Sequence, residues 1–152
     1  TICNAIFCES VEAGHTSHYL SARIAADLAM TNPPCRMDSQ CKYAAVSCGA
    51  ISGVDAYLRP PPSPAVTTTT TINNTNTITN TADDDVRYEN IWDHVAGCII
   101  VTEAGGHVSD LLGMPLDFST GRSLRNNTGV VCSNTRLHSQ IIEASHRILS
   151  YL

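Results

Sequence analysis

No stretch of this chain approaches the roughly 20 consecutive apolar residues that cross a bilayer, so no membrane contact is expected. Basic residues are also scarce. Nine lysines and arginines stand against 14 aspartates and glutamates, a formal net charge of −5. That balance excludes a general nucleic-acid surface, because phosphate backbones are held by an excess of positive charge. A small ligand with a few phosphates is still allowed, since a local pair of cations acts within an acidic protein. Cysteine is present but unclustered: Cys3, Cys8, Cys35, Cys41, Cys48, Cys98 and Cys132 contain no C-x-x-C pair. This removes the short ligand spacing of a zinc site, and an odd count does not suit a disulfide framework. The cysteines are expected to be buried, reduced thiols of a cytoplasmic protein.

The composition fits one α/β domain over residues 1–152, with 43% apolar residues and material for one core. Ile2 to Cys8 reads as an opening strand. Thr16 or Ser17 then caps a helix whose Leu20, Ile24, Ala25 and Leu28 share a face, and Asn32-Pro33-Pro34 ends it. Cys35-Arg36-Met37 reads as a short strand. Asp38-Ser39 starts a second helix carrying Tyr43, Val46 and Ala50, and Val54 to Leu58 a strand ending at Arg59. Later strands are expected at His107-Val108-Ser109 and Thr128 to Cys132, and a last helix from Leu137 to Leu149. Alternation of this kind implies a sheet flanked by helices. The exception is 60–88, rich first in proline and then in threonine and asparagine. It lacks core-forming residues and is expected to be a disordered insertion.

The densest chemical signal is Ile91-Trp92-Asp93-His94-Val95-Ala96-Gly97, followed by Glu103-Ala104-Gly105-Gly106-His107-Val108. Trp92, Ala96, Ile99, Ile100 and Glu103 recur at helical spacing, and the glycine pair stops the helix. Asp93 then falls in the first turn, where free N–H groups and the helix dipole favour a carboxylate. Such a residue either stabilises the helix by up to about 1 kcal/mol or holds a cation.

The wording is more specific than the spacing. This segment resembles the metal-binding signature of the lithium-sensitive, magnesium-dependent phosphomonoesterases, the family that includes inositol monophosphatases, fructose-1,6-bisphosphatases and 3'(2'),5'-bisphosphate nucleotidases. The resemblance continues through Cys8-Glu9-Ser10-Val11-Glu12-Ala13-Gly14-His15-Thr16-Ser17-His18, Asp38-Ser39-Gln40-Cys41-Lys42-Tyr43, Ala56-Tyr57-Leu58-Arg59-Pro60 and Pro115-Leu116-Asp117-Phe118 with Gly121-Arg122. Asp38-Ser39-Gln40 and the pair Lys42 and Arg59 are similar to the nucleotidase branch in particular. The resemblance implies the C-terminal half of the layered α/β/α/β/α sugar-phosphatase fold. The family's Asp-Pro-(Ile/Leu)-Asp-Gly-Thr motif is not found, and Asp83-Asp84-Asp85 lack its proline, glycine and threonine. A C-terminal fragment, inactive without an N-terminal metal-binding domain, is therefore expected.

The resemblance further implies hydrolysis of adenosine 3',5'-bisphosphate to AMP and phosphate in sulfate assimilation, with Mg2+ as cofactor. It places His15, Ser39, Lys42 and Arg59 against the nucleotide and makes Asp93 a magnesium ligand that also faces substrate. Ser39 and Lys42, three apart at a helix start, suit a phosphate, and Arg59 offers a planar two-pronged donor. Lys42 and Arg59 also suit an inositol polyphosphate 1-phosphatase or an inositol monophosphatase-type enzyme, and a non-catalytic nucleotide-binding module is the reading of another class. His94 is expected to be structural, since magnesium prefers oxygen ligands. Asp117 and Arg122 read as turn and surface residues, and the family's lysine before the Ile-Trp-Asp run is here Asn90.

Overall fold

A computed structural model describes residues 2–38, 40–62 and 88–151. Ser39 and nearly all of the segment expected to be an insertion, with Asp83-Asp84-Asp85, lie outside the described residues. The elements are β1 (Phe7–Glu9), α1 (His18–Asp27), β2 (Cys35–Arg36), α2 (Cys41–Cys48), β3 (Ala56–Arg59), α3 (Val95–Glu103), β4 (Gly106–Ser109), β5 (Val130–Asn134) and α4 (Thr135–Leu149). The strands form one mixed sheet ordered β2-β1-β3-β5-β4. In it β1 is parallel to both its neighbours and β5 antiparallel to both of its own.

Alternation along the strands produces two cores. Ala56 and Leu58 of β3 and Val131 of β5 face one side, against Leu20, Ile24 and Ala25 of α1 and Leu137, Ile141, Ala144 and Ile148 of α4. Tyr57, Val130 and Cys132 face the other, against Tyr43 and Val46 of α2 and Cys98 and Val101 of α3. This is the expected sheet flanked by helices. Ser17 caps α1 as expected, its side chain accepting from Leu20 N at 3.3 Å, and Asn134 caps α4 in the same way through Leu137 N at 3.1 Å. Arg147 of α4 and Asp27 of α1 close the first face at 2.6 Å.

Several expectations need correction. Ile2–Asn4 is a 3-10 turn and the first strand starts only at Phe7. The second helix starts at Cys41 rather than at Asp38-Ser39, with Gln40 at its cap and Ala50 beyond its end. The signature helix is broken: Ile91–Asp93 is a separate 3-10 turn, and α3 follows after His94. Its buried side is Gly97, Cys98 and Val101, while Trp92, Ile99 and Ile100 are exposed. Cys8, Cys98 and Cys132 are buried as expected, but Cys41 and Cys48 are exposed, because Tyr43 and Val46 take the inward face of α2. Among the described residues, no helix is long and apolar enough to cross a membrane.

The long excursion between β4 and β5 is pinned by Asp110. Its buried carboxylate accepts from the Leu112 and Met114 amides on one oxygen and from Thr128 N and Asn127 Nδ2 on the other. Asp117 is a turn residue as expected, accepting from the amide and hydroxyl of Ser119.

His138 links α4 to the β4–β5 pair. Its Nε2 lies 2.9 Å from Ser109 Oγ and its Nδ1 3.2 Å from Ser133 Oγ. Burial, and secondarily the neighbouring His107, pull its pKa from 6.5 down to about 4. The folded chain thus binds this proton less readily than the unfolded one. The stabilisation is complete above pH 6.5 and is lost as pH falls toward 4. The urea midpoint is expected to fall across that window, and His138→Gln to flatten the slope there, as denaturation at pH 7, 5 and 4 would show.

Candidate functional site

The parallel strands β1, β2 and β3 deliver their C-terminal ends to one cleft of about 330 Å3, within the range of small-molecule sites. Strand order explains the place. β1 lies between β2 and β3, so the connection through α1 goes to one side and the return through α2 crosses to the other. Open α/β sheets bind ligands at such a reversal. Ser10 follows β1, Asp38 follows β2 and Arg59 ends β3, and the first turn of α2 brings Lys42 over the floor. His15, Lys42, Arg59 and Asp93 all line this cleft, although Arg59 is 44 residues from His15 and 34 from Asp93 in sequence. Ser39 lies outside the described residues.

Lys42 is the only lysine in the chain, and it is 3% exposed. Its Nζ donates to Met37 O at 3.2 Å and stands 5.4 Å from the centre of the Tyr57 ring. Burial, and next the charge of Arg59, hold its pKa below the usual lysine value. An ammonium has three N–H groups, so a buried one with a single described acceptor is poorly compensated. An anion in the cleft would correct that.

Arg59 is held on three sides. Nη1 donates to Ser10 Oγ at 3.1 Å and to Tyr57 Oη at 3.4 Å, and Nη2 meets Glu89 Oε2 at 2.6 Å. Burial works against its charge, but the Glu89 contact outweighs it and keeps its pKa above the ordinary value. Glu89 shows the converse: burial would raise its pKa, and hydrogen bonds from His94 and Arg59 bring it below the usual value. The expected free two-pronged donor is therefore already engaged on Nη1 and Nη2. His94, 1% exposed, reaches Glu89 Oε2 through Nε2 at 3.0 Å and Tyr43 Oη through Nδ1. Burial raises the pKa of Tyr43 well above its ordinary value, so its hydroxyl keeps its proton beside His94 Nδ1. His94 is thus held between Tyr43 and Glu89 while also lining the cleft.

Asp93 ends the 3-10 turn at the cleft mouth, ahead of α3 rather than in its first turn. Asn90 Nδ2 approaches its Oδ2 at 3.4 Å, and Gln40 Nε2 donates to its backbone carbonyl. Asn90 also bridges to Ser123. The exposed carboxylate suits a hard cation such as magnesium. Four carboxylates, Glu12, Asp38, Glu89 and Asp93, line the cleft against two fixed cations, Lys42 and Arg59. That surplus repels a lone phosphate and fits a phosphate accompanied by a divalent cation. Yet among the described residues no three His, Cys, Asp or Glu side chains converge on one point, so Asp93 offers a single carboxylate and not a ligand set.

His15 sits half-exposed at the rim, its Nε2 3.5 Å from Glu12 Oε2. Glu9, which sequence reasoning matched without a role, is buried and pairs with Arg36 at 3.1 Å away from this cleft. Sequence reasoning missed Glu89, Tyr43, Tyr57 and Gln40. The available signal for Glu89 was its place two residues before the signature; nothing in its spacing linked it to Arg59.

The model of the "Inositol monophosphatase family" matches residues 1–150. A protein of Emericella nidulans named 3'(2'),5'-bisphosphate nucleotidase is 40% identical over 148 residues, which are 97% of this chain and 35% of that protein. One of Schizosaccharomyces pombe with the same name is 40% identical over 144 residues, 95% of this chain and 34% of its own. A staphylococcal IMPase-II structure superposes with a TM-score of 0.60 at 18% identity, over 100% of this chain and 48% of that one, a likeness of fold alone. The chain thus spans about a third of the length of the curated relatives it matches.

Proposed function

The chain belongs to the inositol monophosphatase family, and from that premise we propose that it forms the substrate-recognising part of a magnesium-dependent 3'(2'),5'-bisphosphate nucleotidase. The substrate is adenosine 3',5'-bisphosphate, cleaved to AMP and phosphate in sulfate assimilation. One observation carries the reading: His15, Lys42, Arg59 and Asp93, distant in sequence, line one cleft at the ends of parallel strands. The names of the relatives favour a nucleotide over an inositol phosphate. The buried thiols of Cys8, Cys98 and Cys132 suit a reducing, cytoplasmic setting.

In this reading Lys42 offers N–H groups to a substrate phosphate, and charge-assisted bonds of this type are roughly twice as strong as neutral ones. His15, Arg59 and Ser39 are the further proposed contacts to the nucleotide. Asp93 holds magnesium, oriented by Asn90 and Gln40. Bound magnesium supplies Lewis-acid polarisation of phosphoryl oxygens and a more acidic water. One candidate ligand does not assemble that chemistry, so the 152 residues alone are proposed to bind without turning substrate over.

The test is phosphate release from adenosine 3',5'-bisphosphate with Mg2+, by this chain and by a chimera in which it replaces the matching third of the Emericella relative. The chimera is expected to be active, the chain alone inactive, and Asp93→Asn in the chimera to cut kcat by about 100-fold or more, as the loss of a metal-based transition-state contact does. Activity of the chain alone, or an unaffected Asp93→Asn, contradicts the proposal. An inactive chimera that cleaves an inositol bisphosphate selects the other substrate class.

A further inference from the structure

Arg59 has five N–H donors, and the structure accounts for them unevenly. Two acceptors lie on Nη1, one carboxylate oxygen lies on Nη2, and Nε is buried with no acceptor among the described residues. Among the described residues one Nη2 proton has no acceptor, so a ligand reaching into the cleft can take it. The group that sets this arrangement is Glu89, whose Oε2 contacts both Arg59 at 2.6 Å and His94 at 3.0 Å. His94 is in turn fixed by Tyr43. A continuous set of contacts thus runs from α2 through His94 and Glu89 to Arg59 at the end of β3. Arg59 and Glu89 are 12% and 11% exposed, so neither swings freely into water.

Building on the nucleotide reading, we propose that Glu89 is a positioning residue: it locks Arg59 in the orientation that presents a single N–H to the ligand. Arg59 then reads one acceptor atom, and Lys42 provides the less compensated positive charge. Without Glu89 the guanidinium loses its charged anchor, its planar fork turns toward other acceptors, and the cleft loses a defined donor.

Two measurements on the 152-residue chain test this. The first is the side-chain 15N–1H spectrum of Arg59. The native chain is expected to show resolved Nη signals from a guanidinium whose rotation is hindered, and these collapse to an averaged signal in Glu89→Ala and broaden in Glu89→Gln. Unchanged signals in Glu89→Ala overturn the proposal. The second is a double-mutant cycle for binding adenosine 3',5'-bisphosphate with Mg2+. Glu89→Ala is expected to weaken binding by about tenfold and Glu89→Gln by less. In an Arg59→Ala background Glu89→Ala then changes binding by less than about twofold, the non-additivity that shared function requires. Additive losses, or equal or tighter binding by Glu89→Ala, overturn it, because a merely structural carboxylate does not act through Arg59. If the native chain binds no nucleotide while the Arg59 signals still depend on Glu89, the positioning role stands and the nucleotide reading falls.

Discussion

Gly129→Ala is expected to destabilise the chain by on the order of 3–5 kcal/mol, the sum of a strained backbone and an overpacked contact. Gly129 has φ +67°, and a Cβ built there lies 2.4 Å from Arg59 O and 2.4 Å from Leu111 Cδ1. The leucine methyl can rotate away. The Arg59 carbonyl cannot, because Arg59 is paired with Val130 where β3 joins β5. The strands must part at the residue that carries the guanidinium, so the cleft is damaged with the fold. Gly105→Ala separates the two costs. Gly105 has φ +83° with nothing within 4 Å of its Cβ, so only the backbone term, roughly 1–2 kcal/mol, applies. Urea denaturation of both variants checks this, and equal losses would show that the approach to Arg59 does not matter.

Lys42→Met is expected to move stability and binding in opposite directions. Burial holds the pKa of Lys42 below its usual value, so the folded chain carries this charge at a cost. Methionine keeps the apolar stem over Tyr57 and removes the cost, and replacing buried charges by well-packed apolar groups is often neutral or stabilising. The melting temperature is therefore expected to hold or rise. Binding of adenosine 3',5'-bisphosphate loses a hydrogen bond between charged groups, about 1.5–3 kcal/mol, or roughly 10- to 150-fold. A residue kept for packing would show the reverse: a lower melting temperature with binding intact.

Much of the fold was legible because the pattern alone carries it. Ser17 before Leu20, Ile24 and Ala25 is a cap ahead of an amphipathic face, and α1 forms there. His15, Lys42, Arg59 and Asp93 were picked out by resemblance, and the structure lines one cleft with them. The signature helix was not read correctly, for a reason no spacing contains. His94 is drawn between Tyr43 and Glu89, which breaks the run after Asp93. A Cβ at Gly97 would lie 2.3 Å from the Tyr43 ring, and this close approach makes Gly97, rather than Ile99 or Ile100, the inward side. Periodicity marks an apolar residue and does not say what covers it. Glu89 was hidden for a related reason: its partner Arg59 is 30 residues earlier, across a segment with no pattern of its own.

The central claim is that this cleft recognises a nucleotide through its phosphates. Calorimetric titration of the chain with adenosine 3',5'-bisphosphate, AMP and adenosine, each with Mg2+, tests it most directly. The account predicts that affinity falls in that order and that Lys42→Met abolishes the difference between the bisphosphate and AMP. No binding of the bisphosphate, or the same affinity for adenosine as for the bisphosphate, would contradict it.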